Sequence, residues 1–239
     1  MHTDKILVVP DLHGNLHHLK WVVETFPEHH YVFIGDLFDR GRESASVVQK
    51  VRALVDFRRA ELCMGNHEDL AIRGVLDGIT EVFYVWIANG GLATLRSYGL
   101  QHERDFRDTE LEDDLLWIRE NAKPYVVHHH TLISHAAPPK LAITPEDKHT
   151  VMGDHHIWDR PTVHEMQPLP EGVLFSAHGH TPFDRPVLLD DTHYFLDLGG
   201  YHSNRFVVLE LPSRTLYAYH GDTTLDRLTA RALLEDTHA

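Results

Sequence analysis

Three apolar runs of strand length, at 6–9, 31–34 and 61–64, each give way at once to a polar cluster: Asp-Leu-His-Gly at 11–14, Gly-Asp-Leu-Phe-Asp-Arg-Gly at 35–41 and Gly-Asn-His-Glu-Asp at 65–69. The stretches between them have helical spacing. Residues 16–25 place Leu16, Leu19, Trp21, Val22 and Val23 on one face and its flank before Pro27 stops the pattern, and 44–57 opens at Ser44 as a capping serine. A β-α-β-α-β series of this kind implies parallel strands joined by right-handed crossovers. The C-terminal ends of such strands face one crevice, so clusters about 25 to 30 residues apart in sequence meet in space. A single Asp-Leu-His-Gly is explained by a turn. The same punctuation after three successive strands is not.

Residues 68–121 have mostly helical spacing and read as a helical insertion. Strand texture returns at 125–127, 131–134, 173–177 and 194–198, followed by a hairpin over 206–219 turned at Pro-Ser-Arg-Thr. Two of these strands end as the first three do, in Ile-Ser-His-Ala-Ala at 133–137 and Ser-Ala-His-Gly-His-Thr at 176–181. The convergence therefore supplies Asp11, His13, Asp36, Asn66, His67, His135 and His180. No repeat or low-complexity linker interrupts the pattern, so one domain is expected over 1–222, with 223–239 a helical or loosely packed tail.

Charge and cysteine usage narrow the class. The formal net charge of −14 opposes attraction to nucleic acid or an anionic membrane surface. The single cysteine, Cys63, has no disulfide partner, and no run is long enough to span a bilayer, so a cytoplasmic protein without a leader is expected. The chain holds 22 histidines, far more than a metal site uses, so each needs its own case. His17, His18, His128, His129, His130, His155 and His156 are expected at the surface. His178, two residues before His180, is expected beside the site or behind it.

The converging donors are carboxylates, imidazoles and one amide, with no thiolate, which suits Mn²⁺, Fe²⁺ or Zn²⁺ in a working site more than a structural zinc. They are too many for one ion that keeps an open position, and they suit two. Two cations about 3.5–4 Å apart, bridged by a carboxylate, clamp the oxygens of an in-line displacement at phosphorus.

In order and spacing, Asp-Leu-His-Gly, Gly-Asp-Leu-Phe-Asp-Arg-Gly, Gly-Asn-His-Glu, Ser-His-Ala and His-Gly-His-Thr resemble the signature blocks of the calcineurin-like metallophosphoesterases. The branch most similar is that of the phosphoprotein phosphatases, which includes the symmetrical diadenosine tetraphosphate hydrolases. The resemblance spans nearly the whole chain and implies an α/β (α+β) fold, a four-layer αββα sandwich of two mixed β-sheets. It implies one ion held by Asp11, His13 and Asp36 and a second held by Asp36, Asn66, His135 and His180, with manganese the expected metal and iron or zinc the alternatives. A hydroxide between the ions would attack phosphorus. His67 would protonate the leaving oxygen, Asp39 would orient His67, and Arg40, Asn66 and Arg160 would bind the phosphate, with Arg185 and Arg205 as substitutes for Arg160. Pro10 and Ser-His-Ala-Ala-Pro-Pro depart from the family pattern without removing a ligand. The main expectation is a serine/threonine protein phosphatase acting on a phosphorylated protein. The alternatives are a hydrolase of diadenosine tetraphosphate or another small phosphate ester, and a silent binding module, which the intact ligand set disfavours.

Overall fold

The computed structural model describes residues 4–100, 106–142, 150–219 and 224–228. In chain order the first half comprises β1 (Ile6–Val9), α1 (Leu16–Thr25), β2 (His30–Phe33), α2 (Ser44–Asp56), β3 (Ala60–Leu62), α3 (Asn66–Ala71), α4 (Thr80–Trp86), α5 (Leu92–Ser97) and α6 (Glu110–Asn121). The second half comprises β4 (Val126–His128), β5 (Thr131–Ile133), β6 (Leu141–Ala142), β7 (Thr150–Val151), α7 (His155–Trp158), β8 (Phe175–His178), β9 (Val187–Leu189), β10 (His193–Phe195), α8 (Gly200–Ser203), β11 (Val207–Leu211), β12 (Thr215–Ala218) and β13 (Asp226–Leu228).

Two mixed sheets carry the architecture. One runs β12-β11-β1-β2-β3, with β1, β2 and β3 parallel as the spacing predicts; the other runs β13-β9-β10-β8-β5-β4. Strand alternation explains how they pack, since successive side chains leave opposite faces of a strand. Ile6, Val8, Val32 and Ile34 meet Ile133, Ala177, Tyr194 and Leu196 of the second sheet. Leu7, Val9, Tyr31 and Phe33 pack beneath α1, α2 and the helices of the insertion. Both faces of β1 and β2 are thus buried, and that is why their sequences read as unbroken apolar runs. On the outer face of the second sheet Val187, Leu189 and Phe195 are covered by Met166, Phe183 and Leu228.

Several expectations change in detail. Ser44 is the first residue of α2 and not its cap: Glu43 holds the cap position, and the Ser44 hydroxyl donates to the carbonyl of Gly41. The insertion starts at Asn66, and π-helical turns at 72–76 and 87–91 break its period. Residues 226–228, placed in a loose tail, add an edge strand parallel to β9, while 220–223 and 229–239 lie outside the described residues. Among the described residues no helix is long and apolar enough to cross a membrane.

Candidate metal centre

The turns that follow β1, β2, β3, β5 and β8 converge. Asp11 accepts the backbone N–H of His180 on its two carboxylate oxygens at 3.0 and 3.2 Å. The Asn66 amide oxygen lies 2.9 Å from both His135 Nε2 and His180 Nδ1. Asp36 sits at the middle, with His13 Nε2 3.4 Å from one of its oxygens and His135 Nε2 3.4 Å from the other. Two groups of potential ligands share it: His13, Asp36 and His67, and Asp36, His135 and His180. His67 thus stands in the first group where the resemblance implied Asp11.

The backbone is bent to make this possible. His13, Asp36, Asp39, Arg40 and His180 have φ of 43°, 50°, 69°, 65° and 62°, a left-handed region that non-glycine residues seldom enter, and such strain gathers at functional sites. Gly179 is required for a different reason, because a Cβ there would lie 1.8 Å from an Asp11 carboxylate oxygen. Within the departing Ser-His-Ala-Ala stretch the Ala136 N–H donates to the carbonyl of His156 at 2.7 Å, and neither Ala136 nor Ala137 has a positive φ.

Tautomers and charge fit a pair of divalent cations. His13 and His135 donate Nδ1–H to the carbonyls of Phe38 and Ile34, each at 2.9 Å, which leaves both Nε2 lone pairs directed at Asp36. Burial pushes His13 and His180 down to about 3 and lowers His135, so all three are neutral donors at physiological pH. His180 Nε2 is buried with no protein partner. Burial, then the charges of Asp197 and Asp36, pushes the Asp11 carboxyl well above the ordinary range, and burial raises Asp197 to about 6. Buried carboxylates crowded in this way lack the countercharge that a cation supplies.

Beside the centre lies a second constellation. His67 Nδ1 donates to Asp39 at 2.6 Å. Asp39, fully buried, also accepts Trp86 Nε1–H at 2.9 Å and the Thr94 hydroxyl at 2.6 Å. Burial works against protonation of His67, but the carboxylates of Asp36 and Asp39 outweigh it and raise the imidazole above its ordinary value. Arg40 donates to His13 Nε2 and His67 Nε2, both at 3.0 Å, beneath the ring of Tyr201. In this arrangement both nitrogens therefore hold lone pairs. Arg160 is exposed, and its charge acts on His135, His180 and Asp197 without a direct bond to them. Arg205 is drawn away to Asp184.

Five contributors were not singled out in the sequence: Glu68, Trp86, Thr94, Asp197 and Tyr201. Glu68 accepts the N–H groups of Asp36, Leu37 and Gly65 at 2.8, 2.8 and 3.1 Å and so fixes two of the ligand-bearing turns to each other. Its signal lay in Gly-Asn-His-Glu, and that of Asp197 in the polar residue ending Phe-Leu-Asp-Leu-Gly-Gly. Two histidines expected at the surface are buried: His18 stacks on Phe206 with ring centroids 4.4 Å apart, and His156 is 8% exposed. His178 faces away from the centre, held between Ser134 and Ser176.

Residues 4–184 match the calcineurin-like phosphoesterase family. The chain belongs to that family, whose members are dinuclear metal-dependent hydrolases of phosphate esters, and it is a metallophosphoesterase. It is similar to the asymmetrical bis(5'-nucleosyl)-tetraphosphatase PrpE of Oceanobacillus iheyensis, 24% identical over 230 residues that cover 88% of this chain and 90% of the relative. Among solved structures it is similar to the cold-active protein-tyrosine phosphatase of a psychrophilic Shewanella (TM-score 0.60, 16% identity, 92% of this chain and 78% of that one). A serine/threonine phosphatase of Saccharomyces cerevisiae gives a TM-score of 0.59 at 15% identity, over 91% and 80% of the two chains. At such identities the structural likeness speaks for the fold alone.

Proposed function

We propose that the chain hydrolyses phosphate monoesters of serine and threonine side chains, using two Mn²⁺ ions held by Asp11, His13 and Asp36 and by Asp36, Asn66, His135 and His180. When bound, the cation pair acidifies a water and neutralises phosphoryl charge. His67 protonates the departing oxygen as the P–O ester bond breaks, and Asp39 holds the imidazole in the required tautomer and orientation. Arg40, Arg160 and the Asn66 amide bind the phosphoryl oxygens. When Arg40 turns its guanidinium fork to the phosphate, it leaves His67 Nε2, and the carboxylates of Asp36 and Asp39 then favour a proton there.

The observation that carries the substrate reading is the buried His67–Asp39 pair. A serine or threonine alkoxide is strongly basic and cannot depart without a proton, whereas a nucleoside polyphosphate departs as a weakly basic anion. A positioned acid braced by Trp86 and Thr94 suits the first better than the second. A cytoplasmic setting and one catalytic domain over 1–222, extended by β13 at 226–228, belong to the same reading and are supported by the lone buried Cys63 and the apolar layer common to both sheets. Dinucleotide hydrolysis is the second reading, favoured by the curated relative, whose name specifies asymmetrical cleavage and not the symmetrical kind considered from sequence.

The test is turnover with Mn²⁺ of a phosphoserine peptide, diadenosine tetraphosphate and p-nitrophenyl phosphate. The expected result is the highest kcat/KM for the peptide. A tenfold or larger preference for the dinucleotide selects the second reading, and no turnover of any substrate with both ions bound leaves a binding module.

A further inference from the structure

The candidate metal centre lies beyond the C-terminal ends of the parallel strands. At their other end, three side chains that the proposed reaction does not use converge from three strands: His30 of β2, Glu61 of β3 and His128 of β4. One Glu61 oxygen, Oε2, faces both imidazoles, 3.4 Å from His30 Nε2 and 2.5 Å from His128 Nε2. The other oxygen, Oε1, is held by Lys123 Nζ at 2.5 Å. The three side chains are 23%, 20% and 28% exposed, so the cluster is open to solvent without being a surface accident. It borders an open cavity of about 1140 Å³.

We propose that His30 Nε2, Glu61 Oε2 and His128 Nε2 form a second, peripheral site for a borderline divalent cation of the zinc class. Two imidazoles and a carboxylate are the donors of open zinc sites, and the fourth position would fall to water from the cavity. A tetrahedron with metal–ligand bonds of about 2.0–2.1 Å has edges of about 3.3 Å. The His30–Glu61 separation already matches such an edge, and the His128–Glu61 pair needs to open by less than an ångström. The ion would replace the hydrogen bonds that Glu61 now accepts from the imidazoles, each neutral ring binding through Nε2 with its one proton moved to Nδ1.

Topology gives the site a consequence. β3 is the edge of the first sheet and β4 the edge of the second. A bridge between Cys63, just past β3, and Lys123, just before β4, ties the chain together at those edges: the Lys123 N–H donates to Leu62 O and the Lys123 carbonyl accepts the Met64 N–H, each at 2.8 Å. A cation held by His30 and Glu61 on one sheet and His128 on the other would pin the seam between the sheets. At zinc concentrations 100-fold above Kd, the thermal midpoint should rise by about 5–10 °C.

The experiment counts zinc per chain by atomic emission after saturation with Zn²⁺ and gel filtration. The comparison is among the intact protein, the doubly substituted His30→Ala/His128→Ala protein and a neighbouring control, His129→Ala. The expected result is one equivalent fewer in the double variant alone, with phosphoesterase activity unchanged and the zinc-dependent rise in midpoint lost. Equal zinc in all three, or the same loss in the control, overturns the proposal and leaves Glu61 as the hub of a hydrogen-bonded ion-pair network only. Should the double variant fail to fold, anomalous diffraction from zinc-soaked crystals of the unaltered protein decides: a peak within bonding distance of the three named atoms supports the site, and none there overturns it.

Discussion

Replacing Asp39 by Asn keeps the shape of the buried side chain, removes its charge and turns one acceptor oxygen into a donor NH₂. In the intact protein this carboxylate takes hydrogen bonds from His67 Nδ1 at 2.6 Å, Trp86 Nε1 at 2.9 Å and the Thr94 hydroxyl at 2.6 Å. The amide offers one oxygen for all three. If that oxygen stays with Trp86 and Thr94, the amide NH₂ faces His67, which must then accept on Nδ1. The imidazole loses a charge-assisted hydrogen bond worth about 1.5–3 kcal/mol, which is about 10- to 150-fold in rate if fully expressed in the transition state. That reaches only the low end of the roughly 10²–10⁴-fold expected for complete removal of a general acid in His67→Asn. The loss should appear with phosphoserine and shrink with p-nitrophenyl phosphate, whose leaving group carries its own charge. A second readout is the pH profile. In the proposed role His67 acts protonated, and Asp36 together with Asp39 raises its pKa above the ordinary value. Removing one carboxylate therefore lowers that pKa and moves the alkaline limb of kcat/KM to lower pH. Equal losses on both substrates with an unmoved alkaline limb would refute the acid assignment and leave Asp39 a purely structural anchor.

Asp36→Asn should reduce bound Mn²⁺ from two ions per chain to fewer than one by atomic emission and abolish turnover, because the two ligand groups share that carboxylate; retention of both ions would disprove the bridge. Trp86→Phe removes one of three donors to a buried carboxylate and should cost about 1.5–3 kcal/mol in urea unfolding, a loss under about 0.5 kcal/mol counting against the bond. His178→Gln tests burial of a neutral histidine: burial, then the charge of His193, lowers His178 well below its ordinary value, so below about pH 6.5 the unfolded wild type binds a proton that the folded form refuses. The advantage of wild type over the variant should therefore shrink by up to about 1.4 kcal/mol per pH unit as pH falls from 6.5 in chelator. A constant difference between pH 7 and pH 5 would contradict it.

What the sequence revealed and what it concealed follow from the same physics. Asp11, Asp36, Asn66, His135 and His180 were legible because each lies in the turn just beyond a buried strand, where a polar residue has no packing role and the topology brings strand ends together. Trp86 and Thr94 were not legible. Helical period predicts a buried stripe, but it does not predict that the indole N–H at the end of α4 reaches a carboxylate 47 positions earlier. That reach depends on the π-helical turn at 87–91, where Gly90 has φ of 114° and accepts the Arg40 N–H, and where a Cβ on Gly91 would strike the Trp86 ring at 2.6 Å. The two adjacent glycines, Gly90 and Gly91, were the trace of this contact in the sequence. The outer face of the second sheet was hidden for a related reason. Ser176, His178 and His193 satisfy one another there, in a buried polar chain that alternation alone would have assigned to solvent. β9 and β13 were missed because each is only three residues long: Pro186 and Asp190 bound the first, and Asp226 and Arg227 break the apolar pattern of the second. Among the positions at odds with local preference are the left-handed His13, Asp36, Asp39, Arg40 and His180, which lie at the candidate centre. Tertiary bonds such as those from Glu68 to the N–H groups of Asp36 and Leu37 hold part of that backbone in place. Local sequence rules therefore fail in this protein at the centre itself, where a scaffold must over-determine strained turns to aim ligands at a common point.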